Sequence, residues 1–311
     1  MKNFTRIITL CCVLLLSVFL TFALTGCSGN FREKTYEASS SITSVTLDVD
    51  YANVFIKSTT EQTKIEYQEN EDFVFFIWED NGTISLESDK HIDFLPTKKI
   101  PSITLYLQKD CAFVMEMDYG DLFVDKNVQL SAVEVSMDAG EIFADTLTVS
   151  TDDARFELDN GDVVLKNTIT TVGSLEIDLD NGNIDLNNVT VALDCNLSLD
   201  NGNVLADNLT AQAVYAQVDN GEISVKNVEC NQLDATLEIG DITVEKVSAS
   251  RAINLRVEMG DVLAELKGES SNYKTSVDCE FGSCNISNSN SGSINLNVVV
   301  EMGVVNVTFY K

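Results

Sequence analysis

Positive charge is scarce in this chain. Against 49 Asp and Glu stand 20 Lys and Arg, a net charge of −29 over 311 residues. Phosphate binding needs cations that release counterions, so nucleic acid is excluded as a partner. A polybasic contact with anionic lipid is excluded on the same ground. Histidine occurs once, at His91, and tryptophan once, at Trp78. No CxxC and no Cys/His cluster is present, so zinc lacks its usual ligands. Proline is confined to Pro96 and Pro101, and no helical hydrophobic period is sustained after the N-terminal segment. Apolar residues, by contrast, make up 44% of the chain, too many for a disordered acidic tail.

The N-terminus reads as an address. A basic start, Met1 to Arg6, precedes an apolar run from Ile7 to Leu24 that ends in Leu24-Thr25-Gly26-Cys27. An aliphatic residue, two small residues and a Cys at the end of such a run form a lipobox: the small residues let a signal peptidase take the chain extended. Residues 1–26 are then a signal peptide and Cys27 is the lipidated residue. Two acyl chains on one Cys satisfy the two-signal rule for stable membrane anchoring. Residues 27–41 are polar and read as a lipid-anchored tether, and 42–311 as the folded domain. No other run is long and apolar enough to span a bilayer, which places that domain outside the membrane, in the cell envelope.

Of the remaining cysteines, Cys111, Cys195 and Cys230 read as small buried hydrophobes. Cys279 and Cys284 flank one turn and are a possible disulfide; an odd total forbids a complete disulfide framework.

Glycine is present and regularly spaced. It falls at 120, 140, 161, 182, 202, 221, 240, 260, 282 and 303. Three residues before it stand Leu158, Leu179, Leu199, Val218, Leu237 and Val257; two after it stand Val163, Ile184, Val204, Ile223, Ile242 and Val262. Apolar residues alternate with polar ones on both sides of the Gly, which means strands with one buried face. Asp-Asn-Gly recurs at 159–161, 180–182, 200–202 and 219–221, and a second Asn column at Asn167, Asn188, Asn208 and Asn227 marks a second corner. An antiparallel meander and a β-helix both fit this register. Constant unit length and Asn at matched positions favour the β-helix, since like residues can then stack in ladders. The expected fold is all-β, a single-stranded solenoid of about ten coils with a period of ~20 residues. Asp50 to Ile56 and Asp80 to Leu86 read as earlier coils of the same body. An insertion near Ser88–Pro101, with His91, Lys98 and Lys99, reads as a loop projecting from the rod.

A lipobox followed by units such as Phe156-Glu157-Leu158-Asp159-Asn160-Gly161-Asp162-Val163-Val164-Leu165 resembles the bacterial putative-adhesin, or toastrack, family over roughly Val45 to Tyr310. The resemblance implies an envelope-associated β-solenoid, with some members linked to envelope-stress systems. It carries no catalytic signature.

One chemical feature remains. Two residues before every corner Gly is a carboxylate: Asp118, Asp138, Asp159, Asp180, Asp200, Asp219, Glu238, Glu258, Glu280 and Glu301. One residue after it, Asp121, Glu141, Asp162, Glu222, Asp241 and Asp261 are also acidic. Carboxylates ~5 Å apart repel by about 1 kcal/mol in water. Three readings compete. In the first, the acids accept hydrogen bonds from turn amides and keep the edge soluble. In the second, Asp118, Asp138, Asp159, Asp180, Asp200 and Asp219 with Asp162 hold calcium, as in a β-roll-like module, although the spacing matches no known calcium loop. In the third, they recognise a cationic partner.

A catalytic pair should break the repeat in one or two coils, and these acids recur in every coil, so no catalytic residue is assigned. Arg251 and Arg256 are the only candidates for an acidic sugar. The expected function is a non-enzymatic surface lipoprotein presenting an acidic β-solenoid for adhesion or for contact with a protein or glycan ligand. The alternative is a scaffold that senses envelope stress.

Overall fold

The computed structural model describes residues 31–89, 99–170 and 172–311. The signal segment with Cys27 lies outside these residues, as do His91, Pro96 and Lys98 of the insertion.

The alternation around each glycine becomes an inside and an outside. In the coil around Gly182, Leu175, Ile177 and Leu179 lead into the corner, and Ile184, Leu186, Val189 and Val191 lead out of it; all seven are buried. Burying each such side chain is worth about 2 kcal/mol. Successive coils pair in parallel with like residues opposite one another: Leu179 with Leu199, Gly182 with Gly202, Ile184 with Val204. Parallel pairing excludes the meander for these units. The fold is an all-β solenoid of about nine turns with a period of about 21 residues.

Two kinds of corner hold each coil. At the first, Gly202 has φ 141°, and a Cβ there would stand 1.6 Å from the carbonyl oxygen of Gly182 in the preceding coil. Glycine is therefore required by the approach of the neighbouring backbone as well as by φ. At the second corner Asn167, Asn188, Asn208 and Asn227 adopt φ of 51°, 55°, 62° and 52°, a left-handed conformation that Asn tolerates. Their amides form the expected ladder: Asn188 donates to Asn167 at 3.2 Å, Asn208 donates to Asn188, and Asn227 donates to Asp207 at 2.8 Å. Thr146 and Lys246 take the same conformation without an Asn to signal it.

The N-terminal end departs from the sequence reading twice. Thr83 to Leu86 stacks in parallel on Ser44 to Leu47, as a coil strand does, but Asp80-Asn81-Gly82 ahead of it is not a coil corner. Phe75–Asp80 and Thr83–Ser88 run antiparallel, with Asp80 opposite Thr83. Asn81 and Gly82 form a two-residue hairpin loop with φ of 49° and 80°. Positive φ at both loop residues suits the twist of an antiparallel pair, whereas Asn160, Asn181, Asn201 and Asn220 before the coil corners do not have it. The polar tether is also shorter than expected. Arg32–Glu37 is a strand antiparallel to Lys64–Glu69, which in turn runs antiparallel to Ser102–Leu107. Tyr36 packs against the core, Lys34 pairs with Glu69, and Ala38 and Ile42 are buried. These antiparallel strands cover the first parallel edge, which would otherwise be an open template for pairing.

The C-terminal end is stacked out of sequence order. Residues 252–259 pair with 295–302, and 262–267 with 305–310. Tyr273–Cys284 pairs on the far side of Ile294–Tyr310. The last segment of the chain thus inserts beneath the one before it. Composition explains the order. Leu296, Val298, Val300, Val305 and Val307 are fully buried, whereas after Gly282 the outer coil offers Ser283, Cys284 and Asn285. The apolar coil goes inside and the polar one closes the end. Thr275 and Ser289 exchange backbone hydrogen bonds across the outer coil's free edge, and Asn288 accepts from the Val277 amide.

Candidate functional site

The two acidic columns separate at the glycine corner and do different things. In the column after the glycine, the four aspartates are structural. Asp121 Oδ1 accepts from the Glu141 amide at 3.0 Å, Asp241 Oδ1 from the Asp261 amide at 2.8 Å, and Asp261 Oδ1 from the Val304 amide at 2.8 Å. Asp162 Oδ1 takes both the backbone amide of Asn183 at 2.8 Å and its side-chain amide at 2.9 Å. Each of these carboxylates satisfies an amide of the next coil at the corner, where an orphan donor would be costly.

The column before the glycine faces water. Asp118, Asp138, Asp159, Asp180 and Asp200 are exposed, Asp219 is half-buried, and Glu238, Glu258, Glu280 and Glu301 are exposed. The coil spacing sets them ~4.8 Å apart. The crowding is felt at Asp180: desolvation, together with Asp159, Asp200 and Asp178, pushes its carboxyl above the ordinary range. Between this column and the glycine, amides form a second ladder, with Asn181 donating to Asn160 and Asn201 to Asn181, both at 3.3 Å.

The candidate metal ligands are thus divided. Asp118, Asp138, Asp159, Asp180, Asp200 and Asp219 share one outward column; Asp162 stands across the corner with its Oδ1 engaged. Among the described residues no group of three or more His, Cys, Asp or Glu converges as a metal site would require.

Arg251 and Arg256 do not form a joint site. Arg251 donates to Gln232, while Arg256 lies between Glu258 at 3.9 Å and Glu301 at 3.7 Å. A shallow concavity on the outer face, between Asp178, Asn196, Ser198, Tyr215, Gln217 and Asp234, was not legible in the sequence. It arises where Ser198 lies between the longer Asp178 and Gln217 on adjacent coils.

Cys279 and Cys284 are joined in a disulfide in the outer coil, with Cα atoms 6.7 Å apart. Cys111 and Cys195 are buried and Cys230 half-buried; burial pushes all three thiols up to about 12, with Asp234 adding to the effect at Cys230. No helix among the described residues is long and apolar enough to cross a membrane.

A capped parallel β-solenoid with glycine corners and an outward acidic column is the class of protein that these features define. The chain belongs to the Toastrack DUF4097 family, whose model matches residues 42–198 and again 169–310. No curated protein matches the chain. Among solved structures, a putative adhesin from Bacteroides fragilis is 15% identical over 91% of this chain and 98% of its own, with a TM-score of 0.36. A putative lipid binding protein from Parabacteroides distasonis is 14% identical over 91% and 98%, with a TM-score of 0.45. A putative adhesin from Parabacteroides merdae is 12% identical over 91% and 97%, with a TM-score of 0.37. TM-scores below 0.5 at these identities give no basis for transferring a function.

Proposed function

We infer that this chain is a bacterial envelope protein, lipid-anchored through Cys27 and extracytoplasmic, whose outer surface makes contact with a protein or glycan rather than performing catalysis. The observation that carries the reading is the division of labour at the corner. The aspartates of one acidic column hold coils together, while the other column, ten residues long, is held outward on a rigid support. Apolar side chains fill the interior, and the acids repeat from coil to coil without the break that a catalytic pair would make. A lipobox ahead of such a body supports attachment to a membrane and display beyond it.

The test has two parts. Metabolic labelling with a palmitate analogue should mark the wild-type chain, and Cys27→Ala should abolish the label. Cells displaying the chain should bind a host or bacterial surface saturably, and cells carrying Cys27→Ala should not. Absence of label contradicts the anchor; absence of any saturable binding contradicts the contact role.

A further inference from the structure

The residue immediately before the corner glycine changes character along the rod. In the middle coils it is Asn160, Asn181, Asn201 and Asn220, whose amides bond one another. Beyond Asn220 the same column continues as Ile239, Met259, Met302 and Phe281, in that order of stacking. These four are 50%, 51%, 51% and 66% exposed. Scattered exposed hydrophobes are ordinary, but four on consecutive coils make a continuous stripe about 15 Å long at the coil spacing. Val304, one residue past Gly303, is also exposed. Methionine in the centre gives the stripe an adaptable surface.

The stripe has acidic banks. Glu238, Glu258, Glu301 and Glu280 run along one side of all four coils, and Asp241 and Asp261, whose Oδ1 atoms also hold corner amides, flank the first two coils on the other. The switch from Asp to Glu in the outward column coincides with the switch from Asn to apolar residues beside it. Arg256 offsets part of one bank through Glu258 and Glu301.

We propose that this stripe docks a cationic amphipathic helix, with the helix's apolar face on the stripe and Lys or Arg against the acidic banks. Coil spacing favours a helix. One helical turn rises ~5.4 Å and one coil ~4.8 Å, so ridge and stripe drift by only about 2 Å over four coils. An extended strand laid along the axis repeats its facing side chains every ~6.7 Å and loses register at once. Charge excludes the other occupants: the banks repel an anionic lipid surface and a second copy of this acidic chain. The proposal deepens the contact role inferred above and rests on it.

The full chain in neutral detergent, with a labelled 14-residue peptide of leucine and lysine at amphipathic helical spacing, tests it. The expected result is saturable binding, with none for the same peptide carrying glutamate for lysine. Met259→Ser with Met302→Ser should weaken binding at least tenfold. Glu238→Gln with Glu280→Gln should weaken it and flatten its salt dependence. Bound peptide should protect Met259 and Met302 from peroxide oxidation, read by mass spectrometry. Equal affinity in the methionine variant, with Met259 and Met302 of the wild-type chain left unprotected by the peptide, overturns the proposal. Protection that grows with protein concentration alone, or on adding phosphatidylglycerol vesicles alone, overturns it in favour of a second copy or a lipid surface. Saturable cell binding that survives both pairs of substitutions overturns the stripe and leaves the contact role standing; a wild-type chain that binds no cell surface contradicts the contact role itself.

Discussion

The carbonyl oxygen of Gly182 lies 1.6 Å from the point where a Cβ on Gly202 would stand. No side chain fits there unless two coils part. Gly202→Ala should therefore cost at least ~2 kcal/mol, from strain at φ 141° and from displaced backbone pairing. Thermal unfolding checks this, and a variant as stable as wild type would show that the coils approach less closely than the structure has them.

The stacking order at the C-terminal end gives a second prediction. Removing residues 294–311 takes away the coil that lies between 252–267 and 273–284. Amides of Tyr273–Cys284 should then lose their protection from hydrogen exchange. If the coils stacked in chain order, the same truncation would shorten the rod and leave those amides protected.

Acid should act on the corners in opposite senses. Asp145 accepts hydrogen bonds from Asn167 at 3.0 Å and Thr146 at 2.9 Å and pairs with Lys126 at 3.2 Å, which lowers its carboxyl to about 2. An unfolded Asp titrates near 3.9, so this contribution is complete above about pH 4 and is lost as pH falls through about 2. Asp145→Asn should flatten the fall in stability over that window. Asp180 is shifted upward, so its charge weighs against the fold above its folded pKa and the penalty lifts on acidification. Asp180→Asn should raise the unfolding temperature at pH 7 in low salt, and the gain should vanish in high salt.

The thiols give a chemical readout. With Cys111, Cys195 and Cys230 pushed to about 12, iodoacetamide at pH 8 should leave peptides containing them unmodified in the native state and label them after unfolding. Rapid native labelling of Cys195 would contradict its burial.

Most of the coil was legible because its causes are local and repeated. Alternation fixed which residues face inward, as at Leu179 and Ile184, and the glycine and asparagine columns fixed both corners. The two ends were not legible, because they depend on what lies beside a strand rather than on the strand itself. Asn81-Gly82 has the letters of a coil corner but closes a hairpin, since an antiparallel partner precedes it. Arg32–Glu37 looks like a tether until Lys64–Glu69 is available to pair with it. The inserted last coil was signalled only by the polar run after Gly282. At the site, the sequence showed both acidic columns but not their separate roles, which follow from the corner amides that Asp121, Asp162, Asp241 and Asp261 cap.

A solvated contact edge and a metal site differ in how the outward acidic column responds to cations. The most direct test is the thermal unfolding of the protein with calcium, with magnesium and with sodium chloride at matched ionic strength. The same modest rise is expected in all three, because salt screens the repulsion between neighbours such as Asp159, Asp180 and Asp200. A saturable rise specific to calcium would mean a ligand bound to the native state. The column would then be a metal site and not a solvated contact edge.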